Sequence, residues 1–301
     1  MPEAGWVEDL LGPSTPPVDP DLRVEDQVDC GAYVRERVTY DVAPGERVAA
    51  YLCVPHGLSG PVPGVVVHHQ HAQRFDLGKS EPAGLAGDPD QAVAHELAER
   101  GLVTITYDAI GFEERNPTED GAGNACWQEL ATRLVVGRTL MRDVLRDVAV
   151  ATDVLTARAE VDDARLGFLG HSYGGRVALW VPAVEPRLRA VVSSCGCISY
   201  ADSLSEGLQA ETVVPGIHRD GRDLADVVST AGLEASLLVI AADDDRWSRG
   251  ARDLVDRVRP ALGDRVELAA YPGGHALTAS MRQRAYQFLE TRLQPVAPST
   301  V

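Results

Sequence analysis

The segment Gly170-His171-Ser172-Tyr173-Gly174 constrains the fold of this chain more than any other feature. It follows the apolar run 166–169 and precedes residues 175–181, which have the composition of a helix. A serine on a sharp turn from strand to helix has a strained backbone, and only small neighbours let the chain bend so tightly. Such a turn exposes the hydroxyl above a sheet and leaves the next backbone N–H free to bind an oxyanion. We therefore expect Ser172 to be a nucleophile and the N–H of Tyr173 to be an oxyanion donor; the alternative is a glycine-rich turn with an ordinary serine.

Predicted strands and helices alternate along most of the chain. The predicted strands are 62–69, 102–107, 165–169, 189–194 and 236–241, the predicted helices are 90–100, 127–158 (with a break near Gly137) and 281–293, and 33–42 with 47–54 form a predicted hairpin. Alternation of this kind is typical of a parallel sheet covered on both faces. The pattern predicts an α/β fold with a mostly parallel central sheet, an antiparallel N-terminal hairpin and helices on both faces.

The predicted domain organisation is one large domain over residues 31–295. Residues 1–30 are expected to form an N-terminal arm with a short helix, because the proline-rich stretch 12–20 cannot form a regular element. Residues 196–233 have no clear strand and are too long for an ordinary connection, which predicts an excursion or lid over the site. Residues 296–301 are expected to be a tail. The arm is also a candidate contact in a homo-oligomer, in which case deleting residues 1–20 would lower the mass of the assembly.

Charge and cysteine content limit the partners and the compartment. The chain has 301 residues and a formal net charge of −17, which disfavours nucleic acid and anionic membranes as partners. Its five cysteines are odd in number and form no C-x-x-C pair, which indicates reduced thiols and a cytoplasmic location. The acidic N-terminus does not have the pattern of a signal peptide, and we expect no membrane span.

The residues that would activate Ser172 follow it in the chain. Asp243-Asp244-Asp245 comes directly after strand 236–241, and His275 ends the loop Tyr271-Pro272-Gly273-Gly274. A histidine takes the serine proton best when a carboxylate orients it, and nucleophile, acid, base is the chain order of one such architecture. Asp245 is favoured over Asp244 because the loop has turned further towards the site at that position. His275 is the only histidine downstream of the acid loop, so we expect it to be the base.

The second oxyanion donor is expected from the loop after the strand that ends at Val67. This loop begins His68-His69-Gln70-His71, and a backbone N–H at Gln70 or His71 is the candidate donor. Three imidazoles in four residues also raise the alternative of a metal site. Such a site needs a further ligand, and none stands out in the sequence. We therefore predict no metal and no cofactor.

At these residues the chain resembles the α/β-hydrolase superfamily, and within it the branch of dienelactone hydrolases and acetyl xylan esterases. The resemblance covers about residues 45–293 and is carried by the following segments: 108–112, 137–140, 170–175, 214–216 and 272–275. It implies a Ser-His-Asp hydrolase acting on carboxylic esters, with Ser172, Asp245 and His275 as the triad. In that branch the oxyanion loop usually begins with His-Gly, whereas here it begins with His69-Gln70. This difference leaves the identity of the substrate open, but not that of the triad.

The function expected from the residues is that of a serine esterase acting on a small-molecule ester or lactone. The same triad also permits acyl transfer, cyclisation or hydrolysis of a C–C bond, and the fold permits a ligand-binding module without catalysis. Arg74 and Lys79 follow the histidine cluster and are candidates to meet an anionic group of the substrate, although surface basic residues are common.

Overall fold

The computed structural model describes residues 5–230 and 235–295. The predicted tail 296–301 and the last residues of the excursion, 231–233, therefore lie outside the described residues. The strands form one sheet and are β1 (Arg23–Asp29), β2 (Tyr33–Ala43), β3 (Glu46–Pro55), β4 (Val62–His68), β5 (Val103–Tyr107), β6 (Val161–His171), β7 (Leu188–Ser194), β8 (Ser236–Ala242) and β9 (Val266–Tyr271). The helices are α1 (Trp6–Leu11), α2 (Val93–Glu99), α3 (Cys126–Val135), α4 (Leu140–Thr156), α5 (Tyr173–Ala178), α6 (Val181–Val184), α7 (Tyr200–Glu206), α8 (Leu224–Thr230), α9 (Ala251–Leu262) and α10 (Ala279–Arg292).

The strands lie in the order β1-β2-β3-β5-β4-β6-β7-β8-β9. The first four in this order pair antiparallel, and every pair from β5 to β9 is parallel. Parallel neighbours need a crossover, and helices supply it on both faces. The predicted fold is confirmed, including the N-terminal hairpin of β2 and β3.

Apolar runs form the central strands because both faces of the sheet are covered. Val65, Val66 and Val67 of β4 are all fully buried. Val66 packs in a core shared with α4 and α9, whereas Val65 and Val67 face a second core shared with α2 and α10. This alternation follows from the two-residue period of a strand. The long helical pattern 127–158 is two helices, α3 and α4, which separate around Gly137 at φ 76°.

The N-terminal arm contains a short helix, as the sequence predicts, and in addition a strand. Residues 23–29 form β1, an exposed strand at the edge of the sheet, which the sequence analysis did not anticipate. Helix α1 buries Trp6, Val7 and Leu11 in the main core, and Thr139 donates a hydrogen bond to the carbonyl oxygen of Leu11 at 3.0 Å. The apolar face of α1 is therefore covered by its own chain.

The excursion contains α7 and α8 joined by short turns of 3₁₀-helix, and residues 196–230 contain no strand. Its first residues follow β7, so it begins at the carboxyl end of the sheet, where the turn at Ser172 also lies. Within residues 5–230 and 235–295, no helix is long and apolar enough to span a membrane.

Candidate active site

Ser172 occupies the sharp turn between β6 and α5. Its backbone has φ 57° and ψ −112°, and its N–H donates to the carbonyl oxygen of Ser194 at 2.8 Å. A Cβ on Gly170 would lie 2.2 Å from the backbone of Gly174, and one on Gly174 would lie 2.3 Å from the carbonyl oxygen of His68. The two glycines are therefore required by close backbone approach, and they hold the serine in a conformation that L-residues rarely adopt.

The loop after β9 brings His275 to this serine. Its Nε2 lies 2.8 Å from Ser172 Oγ, within hydrogen-bond distance, and its Nδ1 lies 3.0 Å from Asp245 Oδ2. The chain holds these loops together through backbone bonds: the N–H of Asp243 donates to Tyr271, and that of Asp244 donates to Gly273, each at 2.9 Å. The three residues predicted as a triad thus lie in one hydrogen-bonded line.

Asp245 differs from its two neighbours in burial. It is 5% exposed, whereas the side chains of Asp243 and Asp244 are exposed to solvent. Ser248 donates its hydroxyl to Asp245 Oδ2 at 2.7 Å, and the N–H of Trp247 donates to Oδ1 at 3.0 Å. Burial by itself raises the pKa of the Asp245 carboxyl, but hydrogen bonds from His275 and Ser248 outweigh it and hold that pKa below its ordinary value. Asp245 is therefore a carboxylate at neutral pH, as the orienting acid of a triad must be.

Backbone N–H groups are available at the start of α5. Tyr173 is the first residue of that helix, and the first N–H groups of a helix have no partner within it. Its side chain is buried beneath the turn, against the rings of His68 and Phe112. The N–H of Tyr173 is thus placed next to Ser172, where the sequence analysis expects the first oxyanion donor.

The predicted oxyanion loop is organised by His69, whose role the sequence analysis missed. The N–H of Ala109 donates to His69 Nε2 at 3.1 Å, so the ring proton is on Nδ1, which donates to the carbonyl oxygen of Gln70 at 2.7 Å. Burial lowers the pKa of His69 to about 3, which keeps the ring neutral and this tautomer fixed. Because a peptide is planar, fixing the carbonyl of Gln70 also fixes the direction of the His71 N–H.

The side chains of Gln70 and His71 contact other parts of the protein. Gln70 Nε2 donates to Glu81 Oε1 at 3.2 Å. His71 is buried, and its Nε2 lies 3.3 Å from Oε1 of Glu211, which belongs to the excursion. Burial raises the pKa of Glu211, but contact with His71 outweighs this effect and lowers it overall. This imidazole–carboxylate contact lies outside hydrogen-bond geometry, because neither carboxylate oxygen of Glu211 has a hydrogen-bond donor among the described residues. The oxyanion loop and the excursion are thereby joined.

One cluster near this loop has donor atoms that a metal ion could use. His71, Cys126 and Glu211 are all buried, and their donor atoms lie within 4.8 Å of one another. The N–H of Gln73 donates to His71 Nδ1 at 3.1 Å, so the proton of the neutral ring is on Nε2, which faces Glu211. A metal ion would need the lone pair of that same nitrogen. The arrangement therefore fits an imidazole–carboxylate contact better than a metal centre.

Neither basic residue proposed from the sequence to meet an anionic substrate is free. Lys79 is fully buried, and its Nζ lies 2.8 Å from Asp108, 2.6 Å from Glu113 and 2.7 Å from Glu114. Arg74 is exposed and pairs with Asp76 at 2.7 Å. Lys79 therefore holds two loops of the fold together, and the expectation that it lies on the surface is wrong.

The sheet order, the strained serine and the Ser-His-Asp line define a chain with the α/β-hydrolase fold. Comparison with protein families gives a match of residues 4–200 to acetyl xylan esterase (AXE1) and of residues 134–293 to the prolyl oligopeptidase family. The chain belongs to the acetyl xylan esterase family, and its C-terminal half also to the prolyl oligopeptidase family. The resemblance stated from the motifs is thereby confirmed.

Two curated relatives match part of the chain. "Putative hydrolase YtaP" of Bacillus subtilis (strain 168) is 27% identical over 180 residues, which are 60% of this chain and 57% of the relative. "Probable 2-oxo-3-(5-oxofuran-2-ylidene)propanoate lactonase" of Bradyrhizobium sp is 29% identical over 193 residues, which are 63% of this chain and 68% of the relative. The match thus spans little more than half the length of the Bacillus protein.

Solved structures share the fold at low sequence identity. The glucuronoyl esterase from Solibacter usitatus has a TM-score of 0.70 at 15% identity, over 94% of this chain and 89% of that one. Acetyl xylan esterase 1 from Thermoanaerobacterium sp. JW/SL YS485 has a TM-score of 0.64 at 18% identity, over 98% of this chain and 99% of that one. At such identities the likeness establishes the architecture alone.

Proposed function

We propose that this protein is a serine hydrolase that cleaves a carboxylic ester or lactone of a small molecule through an acyl-enzyme. The observation that carries the proposal is the continuous line Ser172 Oγ, His275 Nε2, His275 Nδ1 and Asp245 Oδ2, with contacts of 2.8 Å and 3.0 Å. A hydroxyl in this line can lose its proton as it attacks a carbonyl carbon. Membership of an esterase family supports the same reaction class.

The reaction proceeds in two halves. Ser172 Oγ attacks the ester carbonyl while His275 takes its proton, and the carbonyl oxygen becomes an oxyanion held by the N–H of Tyr173 and one from Gln70 or His71. The intermediate collapses, and His275 returns the proton to the leaving alcohol, which leaves an ester between the acyl group and Ser172. A water molecule, activated by His275 as base, then attacks the carbonyl carbon of this ester. The second intermediate collapses, His275 returns the proton to Ser172 Oγ, and the acid is released. Each oxyanion donor contributes roughly 3–4 kcal/mol to the barrier reduction.

The space beside Ser172 favours a short acyl group. A narrow cavity, lined mostly by apolar surface, is formed by Ser172, Cys195 and Trp247 together with residues of the excursion. His275 does not line this cavity, and it must reach the leaving alcohol. The acyl part of the substrate therefore belongs in the cavity, and the alcohol part lies towards His275 and the solvent.

Labelling with a fluorophosphonate tests the proposal without knowledge of the substrate. The activated serine displaces fluoride, and the intact mass rises by one phosphonyl group. We expect one adduct on the wild-type protein and none on Ser172→Ala, with Ser194→Ala as a matched control that keeps the adduct. Absence of an adduct on folded wild-type protein would contradict the proposal and favour a binding module. Methyl and acetyl esters, lactones, and added alcohol or amine acceptors would then separate hydrolysis from acyl transfer.

We also propose a reducing compartment, the cytoplasm, for this enzyme. All five cysteines are free thiols, and Cys53, Cys126, Cys195 and Cys197 are buried. Burial raises the pKa of the Cys197 thiol to about 11, which keeps it protonated and unreactive. Alkylation after unfolding, with and without prior reductant, should modify the same number of cysteines in protein isolated under non-oxidising conditions.

A further inference from the structure

Glu211 is a buried carboxylate with few polar contacts. Its exposed fraction is 0%, and neither of its oxygens has a hydrogen-bond partner among residues 5–230 and 235–295. It faces the imidazole of His71, whose Nε2 lies 3.3 Å from Oε1. By contrast, the equally buried Lys79 has three carboxylates within 2.8 Å. Burying a carboxylate with so few contacts is costly, which indicates that Glu211 has a role other than stability.

Glu211 lies in a single turn of 3₁₀-helix, Ala210–Thr212, at the boundary of the proposed active site. Gln209 and Thr212, on either side of it in the chain, line the narrow cavity next to Ser172. The hydroxyl of Thr212 donates to the carbonyl oxygen of Gln209 at 2.8 Å, which closes the turn. One turn of the excursion therefore borders the cavity and, through Glu211, contacts the oxyanion loop.

The side chain of His71 is also held by groups other than Glu211. Its Nδ1 accepts a hydrogen bond from the N–H of Gln73 at 3.1 Å, and the rings of Phe75 and Phe112 stand edge-on to the imidazole with centroids 5.1 Å away. The next two residues, Ala72 and Gln73, have φ 45° and 57°. Residues other than glycine rarely adopt this left-handed conformation, which persists only where the surrounding contacts enforce it. The backbone of this part of the oxyanion loop therefore depends on how the His71 ring is held.

His69 and Glu211 act on different parts of the same segment. His69 fixes the carbonyl of Gln70, and so the direction of the His71 N–H. Glu211 faces the protonated Nε2 of His71, and in buried surroundings a carboxylate still attracts such a ring N–H strongly at 3.3 Å. The contact with Glu211 therefore fixes the position of the His71 ring, and with it the position of the His71 N–H.

We propose that Glu211 is a positioning residue for the oxyanion hole: it holds the ring of His71 so that the N–H of His71 meets the oxyanion that forms on the substrate. The excursion thereby completes the oxyanion hole. This inference rests on the proposed serine hydrolase function and adds a residue to it. Because the oxyanion forms only as the reaction proceeds, loss of this contact lowers kcat and leaves KM nearly unchanged. The alternative is that Glu211 only packs the excursion against the body of the protein.

Glu211→Met and Glu211→Gln test this role with phenyl acetate as the substrate. Methionine keeps an unbranched side chain but removes the carboxylate, so we expect kcat to fall by at least about tenfold while KM stays within about threefold. The melting temperature of Glu211→Met should be unchanged or higher, because replacing a poorly satisfied buried charge by an apolar side chain is often neutral or stabilising. The amide oxygen of Glu211→Gln can still accept from His71 Nε2, so kcat should fall by only about threefold to fivefold.

A control variant and a second rate make the test specific. Glu206→Gln changes another glutamate of the excursion, which pairs with the exposed Arg249, and should keep kcat within about twofold. Labelling by the fluorophosphonate needs no choice of ester, and the phosphoryl oxygen gains charge in the same oxyanion hole. The rate of labelling should therefore fall by at least about tenfold in Glu211→Met.

Each outcome decides the inference. Wild-type kcat and labelling rate in Glu211→Met would overturn it. A joint fall of kcat and melting temperature would show that Glu211 only packs the excursion, and a rise of KM at constant kcat would assign it to substrate binding; both results also overturn the inference. If Glu211→Met does not fold, Glu211→Gln decides: a loss of about threefold or more in kcat at wild-type KM and melting temperature supports the inference, and wild-type kcat overturns it. Lack of labelling in the wild-type protein would instead remove the proposed function itself.

Discussion

Nδ1 of His69 lies 2.7 Å from the carbonyl oxygen of Gln70, and this contact fixes the peptide that leads to His71. His69 is buried and lies behind the proposed oxyanion hole, where its other nitrogen accepts from Ala109 on the neighbouring loop. The loop after β4 begins His69-Gln70-His71 and has no glycine before Gly78, so its first N–H groups need another means of being held in place. A neutral imidazole with one donor and one acceptor supplies it.

Two substitutions of His69 should therefore distinguish the roles of its two ring nitrogens. An asparagine amide can replace the Nδ1 donor, and a glutamine amide can replace the Nε2 acceptor. We expect His69→Gln to lower kcat by about 10²-fold, because a misplaced oxyanion donor costs nearly as much as an absent one. We expect His69→Asn to stay within about tenfold of the wild type. Steady-state kinetics on a reactive ester checks both variants, and equal activity of the two would show that the Gln70 contact has no role.

The three consecutive aspartates offer a matched comparison. Asp245→Asn should lower kcat by about 10⁴-fold, because the amide favours the wrong tautomer of His275. Asp244→Asn should change kcat by less than about threefold, since its side chain is exposed and only its backbone N–H contacts the histidine loop. Kinetics with the same ester, together with thermal unfolding, would decide between the two positions. A large loss in Asp244→Asn would exchange the roles of these residues.

Stability should fall steeply in mild acid because three buried imidazoles resist protonation. Burial lowers the pKa of His68 to about 4 and that of His69 and His171 to about 3. In the unfolded chain these histidines become protonated near pH 6.5, whereas in the folded chain they stay neutral at that pH. The unfolded state therefore binds more protons than the folded state below pH 6.5. The three histidines therefore make their full contribution to the free energy of unfolding above about pH 6.5. As the pH falls from 6.5 towards 4, the free energy of unfolding decreases by about 4 kcal/mol per pH unit for the three residues together.

Thermal unfolding measured between pH 4.5 and pH 7.5 tests this dependence. His171→Asn should reduce the slope by about one proton, since an asparagine does not titrate and can still contact Ser194 Oγ, which lies 3.1 Å from His171 Nδ1. The exposed Gln128 has no titratable group and is the control, and Gln128→Asn should leave the slope unchanged. A wild-type melting temperature that is constant from pH 6.5 to pH 4.5 would contradict the assignment of neutral buried rings.

Sequence patterns predicted those parts of the fold that hydrophobic burial determines. The apolar run around Val66 and the order of Ser172, Asp245 and His275 are local signals, and they led to the sheet and to the residues that the structure brings together. Strand β1 has the sequence RVEDQVD and is exposed along its whole length, so no alternation marks it and only its pairing with β2 makes it a strand. Ala109, which donates to His69, and the carboxylates around Lys79 come from distant segments, and no pattern along the chain encodes such contacts.

Lys79 gives the clearest test of how much one tertiary contact contributes. Lys79→Met should destabilise the fold by roughly 3–5 kcal/mol, because it leaves the carboxylates of Asp108 and Glu113 close together without their cation, whereas Glu114 keeps its ion pair with Arg37. The matched substitution Arg74→Gln removes an exposed ion pair with Asp76 and should cost no more than about 1 kcal/mol. Urea unfolding at pH 7 measures both values. The loss in Lys79→Met should shrink at lower pH, where protonation of the carboxylates removes their repulsion. A cost equal to that of Arg74→Gln at pH 7 would mean that the lysine is not the centre of this cluster.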